Sequence, residues 1–296
     1  MATLKEIRNR IKSVKSTRQI TKAMEMVAAA KLRRAQQRVS EARPYADRMN
    51  EMLVSLAEGA SGDISHPFFE RREIRKRTLV VAVSDRGLCG SFNAHLLRAA
   101  DDWLAQYDSS EVELVVVGKR ALDYYNHRNY PIVASYIDWG GAMEYEKAKS
   151  LVSFLTRRFI DGETDAVNVL YARFISTAKN VVTNEAYLPI DNPTASASSE
   201  SGAETTTGAR KEYIFEPNPE RIYASLLPSY ALTQMLTALL DSFASEHSAR
   251  MIAMNTATKA AGDMIDELTL NYNKARQAQI TKELLEIVSG AEALNA

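Results

Sequence analysis

The chain has 296 residues, of which 46% are apolar and 25% charged, and its 37 Lys plus Arg balance 37 Asp plus Glu. This is the composition of an ordinary globular protein able to bury a sizeable core in one large domain or two. Cys89 is the only cysteine, which excludes an intrachain disulfide, and no apolar run approaches the ~20 residues that cross a bilayer.

The neutral total hides an uneven distribution. Residues 1–48 carry thirteen basic side chains against four acidic ones, an excess of nine positive charges that the remainder cancels. Residues 241–296 carry eight acids against five bases, so the two ends of the chain are electrically complementary. The first 20 residues are basic and amphipathic, without the apolar stretch of a secretion signal. An Arg-rich start can mimic a mitochondrial presequence, but the helical pattern runs well past presequence length. The reading is therefore mature structure in a bacterial cytoplasm.

In chain order, Leu4, Ile7, Ile11 and Val14 follow the spacing of a coiled-coil seam, which slips and resumes at Ile20, Met24, Val27 and Leu32. The pattern predicts a helix of ~40 residues up to Pro44, ~60 Å long, that can continue with a kink toward Glu58-Gly59. An alternation of strands and helices follows: strands over 78–85, 112–118 and 131–138, helices over 92–107, 119–127 and 144–160, then strands over 166–174 and 180–190 around a turn at 177–179. That order predicts an α/β domain with a mainly parallel sheet. The Ser/Thr/Ala/Gly-rich stretch 193–210 reads as a mobile loop, and "EYIFEP" (212–217) as a possible last strand. Asn218-Pro219 is a helix start, Pro228 a kink or interruption, and Gly290 a stop. Between them a seam runs Leu236, Leu240, Phe243, His247, Met251, Met254, Ala257, Ala261, Met264, Leu268, Tyr272, Ala275.

Two long amphipathic helices at opposite ends of a chain, one basic and one acidic, each need a partner to bury the stripe. The expected architecture is an antiparallel coiled coil of the N- and C-terminal helices with a Rossmann-like α/β domain inserted between them. Its parts are a first helix in 1–58, the α/β domain in 75–217 and a second helix in 218–296.

Candidate chemistry is sparse. The loop Ser84–Ser91 sits where Rossmann-type domains bind phosphate, yet the chain holds neither GxGxxG nor GxxxxGK[ST], so its glycines are assigned to turns. Cys89 is read as a small buried thiol and not a nucleophile, and the scattered His66, His95, His127 and His247 lack metal-ligand spacing. His247 is read as a packed or rim residue, and Asp161, Glu163 and Asp165 as a solvated acidic turn. No catalytic residue, cofactor or metal is expected. The basic first helix admits nucleic-acid binding as an alternative, or a helical-arm scaffold. Its bases alternate with an apolar seam and no aromatics, which argues against that use.

Three stretches carry a family resemblance: "IRNRIKSVKSTRQITKAMEMVAAAKLRRAQ" (7–36), "SDRGLCGSFN" (84–93) and "SEHSARMIAMNTATKAAGDMIDELTLNYNKARQAQITKELLEIVSGA" (245–291). In this order and spacing they resemble the γ subunit of F-type ATP synthases. The resemblance implies a non-catalytic rotor shaft that couples ion flow through a membrane ring of c subunits to ATP synthesis or hydrolysis on β. It implies three α and three β subunits, an ε subunit and the c ring as partners, with a peripheral place on the cytoplasmic face of a bacterial inner membrane and no membrane insertion. By the same resemblance Arg276, Gln277 and Thr281 form a polar catch on β. Met24 lies near a β loop, and Arg8, Arg10, Lys12 and Lys15 meet acidic β loops. Leu284, Leu285, Ile287 and Val288 form an apolar bearing tip, and Lys211, Glu212, Tyr213 and Phe215 belong to a foot on the c ring and ε. With Cys89 alone, the cysteine-pair switch of chloroplast relatives is not expected.

Overall fold

A computed structural model of the chain describes residues 3–59, 66–190 and 219–295. The mobile-loop expectation for 193–210 and the foot residues Lys211, Glu212, Tyr213 and Phe215 lie outside them. The elements are α1 (Leu4–Gly59), a 3-10 turn (Pro67–Phe69), β1 (Arg77–Ala82), α2 (Phe92–Leu104), β2 (Val112–Val117), α3 (Lys119–Tyr125), β3 (Ile132–Tyr136), α4 (Tyr145–Ile160), β4 (Ala166–Ser176), β5 (Lys179–Leu188) and α5 (Pro219–Asn295). By internal contacts the chain falls into two compact units: Met1–Ala29 with Arg250–Ala296, and Ala30–Ala249.

The larger unit is built on a five-stranded sheet in the order β3-β2-β1-β4-β5, parallel except for the β4–β5 hairpin. Strands β1 and β2 are apolar from Leu79 to Ala82 and from Leu114 to Val117, because both faces are covered there. Leu79, Val81, Leu114 and Val116 pack under α2 and α3 with Leu96, Ala100, Leu104 and Tyr125. Val80, Val115, Val167 and Val169 pack on the opposite face against α4, the last turns of α1 (Met49, Leu53, Leu56) and the first turns of α5 (Tyr223, Leu227, Ala231, Met235). Burying a side chain of this kind stabilises the fold by about 1.5–3 kcal/mol, so the sheet is the stable heart of this unit.

In the smaller unit α1 opens with a reciprocal cap. The Thr3 amide donates to Glu6 Oε2 at 2.9 Å, while the Glu6 amide donates to Thr3 Oγ1 at 3.3 Å. The two helices run antiparallel: Thr258 Oγ1 donates to Thr21 Oγ1 at 2.9 Å, and Asn255 Nδ2 to Glu25 Oε1 at 3.1 Å. Between them lie small or short side chains, Ala28 and Ala261, with Met254 and Ile265.

Several expectations need correction. The seam of α1 passes through Thr21, Met24 and Ala28, leaving Ile20 and Val27 57% and 58% exposed. A hydroxyl and a methyl allow closer approach than two branched aliphatics, so the small residues take the contact and the larger ones turn outward. Likewise Met264 faces out and its neighbour Ile265 is buried. Pro228 does not interrupt α5, because Tyr223, Leu227, Ala231 and Met235 hold the turns before and after it to the core. Gly290 does not stop the helix, which continues to Asn295 through Ala, Glu, Ala and Leu, all strong helix formers. Strand β1 ends at Ala82, not Asp85, since Ser84 and Asp85 turn aside to hold loops. Asp165 is no solvated charge: Oδ2 accepts from the Arg75 and Lys76 amides at 2.9 and 3.0 Å.

Candidate functional site

Two places could carry function: the carboxyl edge of the parallel sheet, and the paired helices of the smaller unit. In an open α/β sheet the ligand crevice lies at the carboxyl ends of the strands, where the chain order reverses. Here that point is between β1 and β4. The loop after β1 is closed on itself. Ser84 Oγ donates to the Arg86 carbonyl at 2.6 Å, and Asn93 Oδ1 accepts from the Ser84 amide at 3.2 Å. Cys89 is buried, with Asn93 Nδ2 3.3 Å from its sulfur. Asp85 takes up three backbone donors, the amides of Lys119 at 3.0 Å, Asp138 at 3.1 Å and Trp139 at 2.7 Å. Gly118, which starts α3, has φ 93, and a Cβ there would stand 2.2 Å from the Val83 carbonyl oxygen. No larger residue fits.

The crevice itself is filled by α5. Ser242 Oγ donates to the Ala82 carbonyl at the end of β1 (3.4 Å) and Ser245 Oγ to the Ala172 carbonyl of β4 (3.0 Å). Ser248 Oγ donates to the Thr177 carbonyl just beyond β4. Carbonyls that would border a phosphate site thus serve the chain's own helix. The sequence signal for this was three serines at a spacing of three, Ser242, Ser245 and Ser248, and sequence reasoning passed over it. Replacing Asp85 by Ala leaves three backbone N–H groups short of an acceptor, and an expected loss of about 2–4 kcal/mol in the free energy of urea unfolding follows. Asp85→Asn, which keeps one acceptor oxygen, loses less.

The residues expected at the catch, the tip and the β loops all fall on the smaller unit. Met24 is half-buried in the seam, and Arg8, Arg10, Lys12 and Lys15 are exposed along α1. Glu25, beside Met24, has its carboxyl held below the usual range by hydrogen bonds from Lys22 and then Asn255. The antiparallel register explains the far end. With Thr21 level with Thr258 and Arg18 beside Gly262, equal helical rise sets Leu4 level with about Arg276. From there α5 continues with no α1 beside it. Arg276 and Gln277 are exposed, Thr281 Oγ1 donates back to the Gln277 carbonyl at 2.9 Å, and Leu284, Leu285, Ile287 and Val288 are 57–67% exposed. The structure therefore puts the predicted catch and tip together on the part of α5 beyond the level of Leu4, and Met24 with the four basic residues on α1.

No helix among the described residues is long and apolar enough to cross a membrane. A family model described as ATP synthase matches residues 3–294. The chain is 45% identical to the ATP synthase gamma chain of Desulforamulus reducens over 99% of its own length and 100% of that protein's. It is 44% identical to that of Pelotomaculum thermopropionicum, again over 99% and 100%. Among solved structures it is similar to a chain in the central stalk and c-ring structure of the Tetrahymena thermophila mitochondrial ATP synthase. There the identity is 25% and the TM-score 0.58, with 80% of this chain and 99% of that one covered. A chain of the Euglena gracilis mitochondrial ATP synthase has the same fold, with TM-score 0.67 at 18% identity over 98% and 94% of the two chains. These matches lend nothing to the nucleic-acid alternative; the chain belongs to the ATP synthase gamma chain family.

Proposed function

We propose that this chain is the central rotor shaft of an F-type ATP synthase, the part that turns inside a head of three α and three β subunits while ATP chemistry proceeds on β. The observation that carries the reading is the end of α5. Past Arg276 it runs on without α1 beside it and presents Ile280, Leu284, Leu285, Ile287 and Val288 to the outside. An apolar helix end of that kind is an aggregation hazard unless a partner encloses it. A sleeve of other chains supplies that cover and makes the end a bearing.

The mechanics follow from symmetry. One chain within three equivalent catalytic subunits cannot offer the same side to each. Each β meets different contacts, and only such differences in contact energy bias a site between open and closed states. A third of a turn exchanges the three environments. Because coupling free energy is reciprocal, the shaft converts rotation into affinity change and the reverse. In this reading Arg276, Gln277 and Thr281 are the catch on β, and Leu284 to Val288 the bearing. Met24 stands near a β loop, and Arg8, Arg10, Lys12 and Lys15 face acidic β loops. The chain divides into shaft helices within 1–58 and 218–296 and a foot in 75–217. That foot includes Lys211, Glu212, Tyr213 and Phe215 and docks on ε and the c ring, on the cytoplasmic face of a bacterial inner membrane.

Native mass measurement of the complex purified through this chain tests the reading. One copy with three each of two large nucleotide-binding subunits is expected. Recovery free of such subunits, or bound to nucleic acid that salt removes, would overturn it.

A further inference from the structure

α5 is encased where it crosses the carboxyl edge of the sheet. Every residue from Ala238 to Ser248 is buried, an uninterrupted stretch of three turns. A helix lying on a core shows a buried stripe and an exposed one; this segment shows no exposed side. Six of its eleven residues are polar. Asp241, Ser242, Ser245, Glu246, His247 and Ser248 all lie within it.

The bonds come from two opposite directions. The three serines reach the ends of β1 and β4. His247, ~140° around the helix from Ser242 at ~100° per residue, reaches the Gly141 carbonyl at 2.6 Å. Gly141 belongs to the loop after β3, and α1 is tied to the same loop. Lys31 Nζ donates to the Gly140 carbonyl at 2.8 Å and Arg38 Nη1 to the Met143 carbonyl at 3.3 Å. The loop is itself anchored to the α/β domain, with Asp85 accepting from the Asp138 and Trp139 amides and Lys147 Nζ donating to the Asp138 carbonyl at 2.8 Å. Trp139 is buried beside Phe243, with ring centroids 5.7 Å apart. There is no slack: a Cβ on Gly141, whose φ is 79, would stand 2.9 Å from Lys31 Nζ and 3.1 Å from the His247 ring.

We propose that the loop from Ile137 to Met143 is a torsional collar, through which twist on the α/β domain passes to both helices by way of Lys31, Arg38 and His247. Apolar contacts are non-directional and let a helix turn in its socket at little cost. Hydrogen bonds are directional and weaken steeply as a donor swings away from its acceptor. Serines on one side and His247 on the other resist rotation of α5 about its own axis. Lys31 and Arg38 resist the same motion of α1. These are positioning residues, and the proposal rests on the rotor reading.

The test uses the whole complex, immobilised by its head, with a light-scattering probe on α2, and records angular variance at a catalytic pause. Lys31→Ala with His247→Ala should raise that variance roughly twofold, since two directional bonds of the collar are lost. ATP hydrolysis should stay within about twofold of the parent, because no group that touches nucleotide has changed. Lys31→Met and His247→Gln, measured singly, should give smaller rises, and Arg48→Ala, an exposed residue of α1 paired with Glu51, none. Unchanged variance in the double variant and in both single variants would overturn the collar. A parent complex that shows no rotation at all would instead overturn the rotor reading.

Discussion

Replacing Arg276 and Gln277 together by Ala is expected to reduce coupled ATP synthesis roughly tenfold, a loss of about 1.4 kcal/mol of coupling free energy, while the complex still assembles. Both side chains are exposed at the level where α1 begins, so no packing inside this chain depends on them. Arg presents a planar fork that pairs with a carboxylate through two bonds, and Gln adds a neutral donor and acceptor. In the proposed rotor such a pair would form and release at each stop without trapping one angle, which a deeply buried ion pair would do. Arg276→Lys should recover part of the loss, as it keeps the charge without the fork. Thr281→Ala should matter less, because that hydroxyl is already engaged with the Gln277 carbonyl. Synthesis and ATP-driven ion pumping are measured in vesicles, with subunit stoichiometry as the check on assembly. Normal rates in the double variant would remove these residues from the catch.

The second large effect concerns stability. Asp241 is buried in α5, and its Oδ1 has no hydrogen-bond partner. Burial pushes its carboxyl up to about 6, and the charges of Arg43 and Arg173 only partly offset this. Arg43 lies 3.8 Å away, too far for a hydrogen bond, and Glu185 adds a smaller push in the same direction as burial. A carboxyl whose folded value lies above its unfolded one binds its proton more tightly when folded. The stability this gives is complete below about pH 4 and is lost as pH rises through about 6. Above that the ionised group carries a standing cost of about 2–3 kcal/mol. Asp241→Asn removes the charge and keeps the shape, so the variant should gain about that much in denaturant unfolding at pH 7.5. The gain should shrink on acidification and vanish near pH 4. Arg43→Ala should act oppositely at pH 7.5, by leaving the buried carboxylate with a weaker counter-charge. An Asn variant no more stable than its parent at pH 7.5 would contradict this account.

Much of the fold was legible in the sequence because single elements carried strong local signals. "TLVVAVSD" reads as a buried strand and "VELVVVG" as a second strand, and β1 and β2 lie inside the sheet with both faces covered. Most of the seam of α5 was legible from spacing alone, with Met264 as an exception. What spacing could not tell was which of two adjacent residues is buried. At Ile20 against Thr21, and at Met264 against Ile265, hydrophobicity alone favoured the wrong neighbour in α1 and did not separate the pair in α5. Close helix approach rewards small size, and that depends on a partner distant in sequence. Pro228 and Gly290 failed as breakers for a similar reason. Their local cost is a few kcal/mol at most, and in α5 packing around Pro228 overrides it. The resemblance supplied the candidate contact residues on the two helices, while their register sets Arg276 level with Leu4. The collar was not foreseen: Lys31 and Gly140 are 109 residues apart, and His247 and Gly141 are 106.

The serines of α5 at the ends of β1 and β4 carry one more consequence. An opening that other members of this architecture leave free for a guest is here occupied by a permanent resident of the same chain. Selection acting on those positions therefore cannot gain affinity for a small molecule without first loosening the helix. New recognition in proteins built this way is freer to arise elsewhere, on the outer side formed by α2 and α3, where a change disturbs neither the sheet ends nor the encased turn.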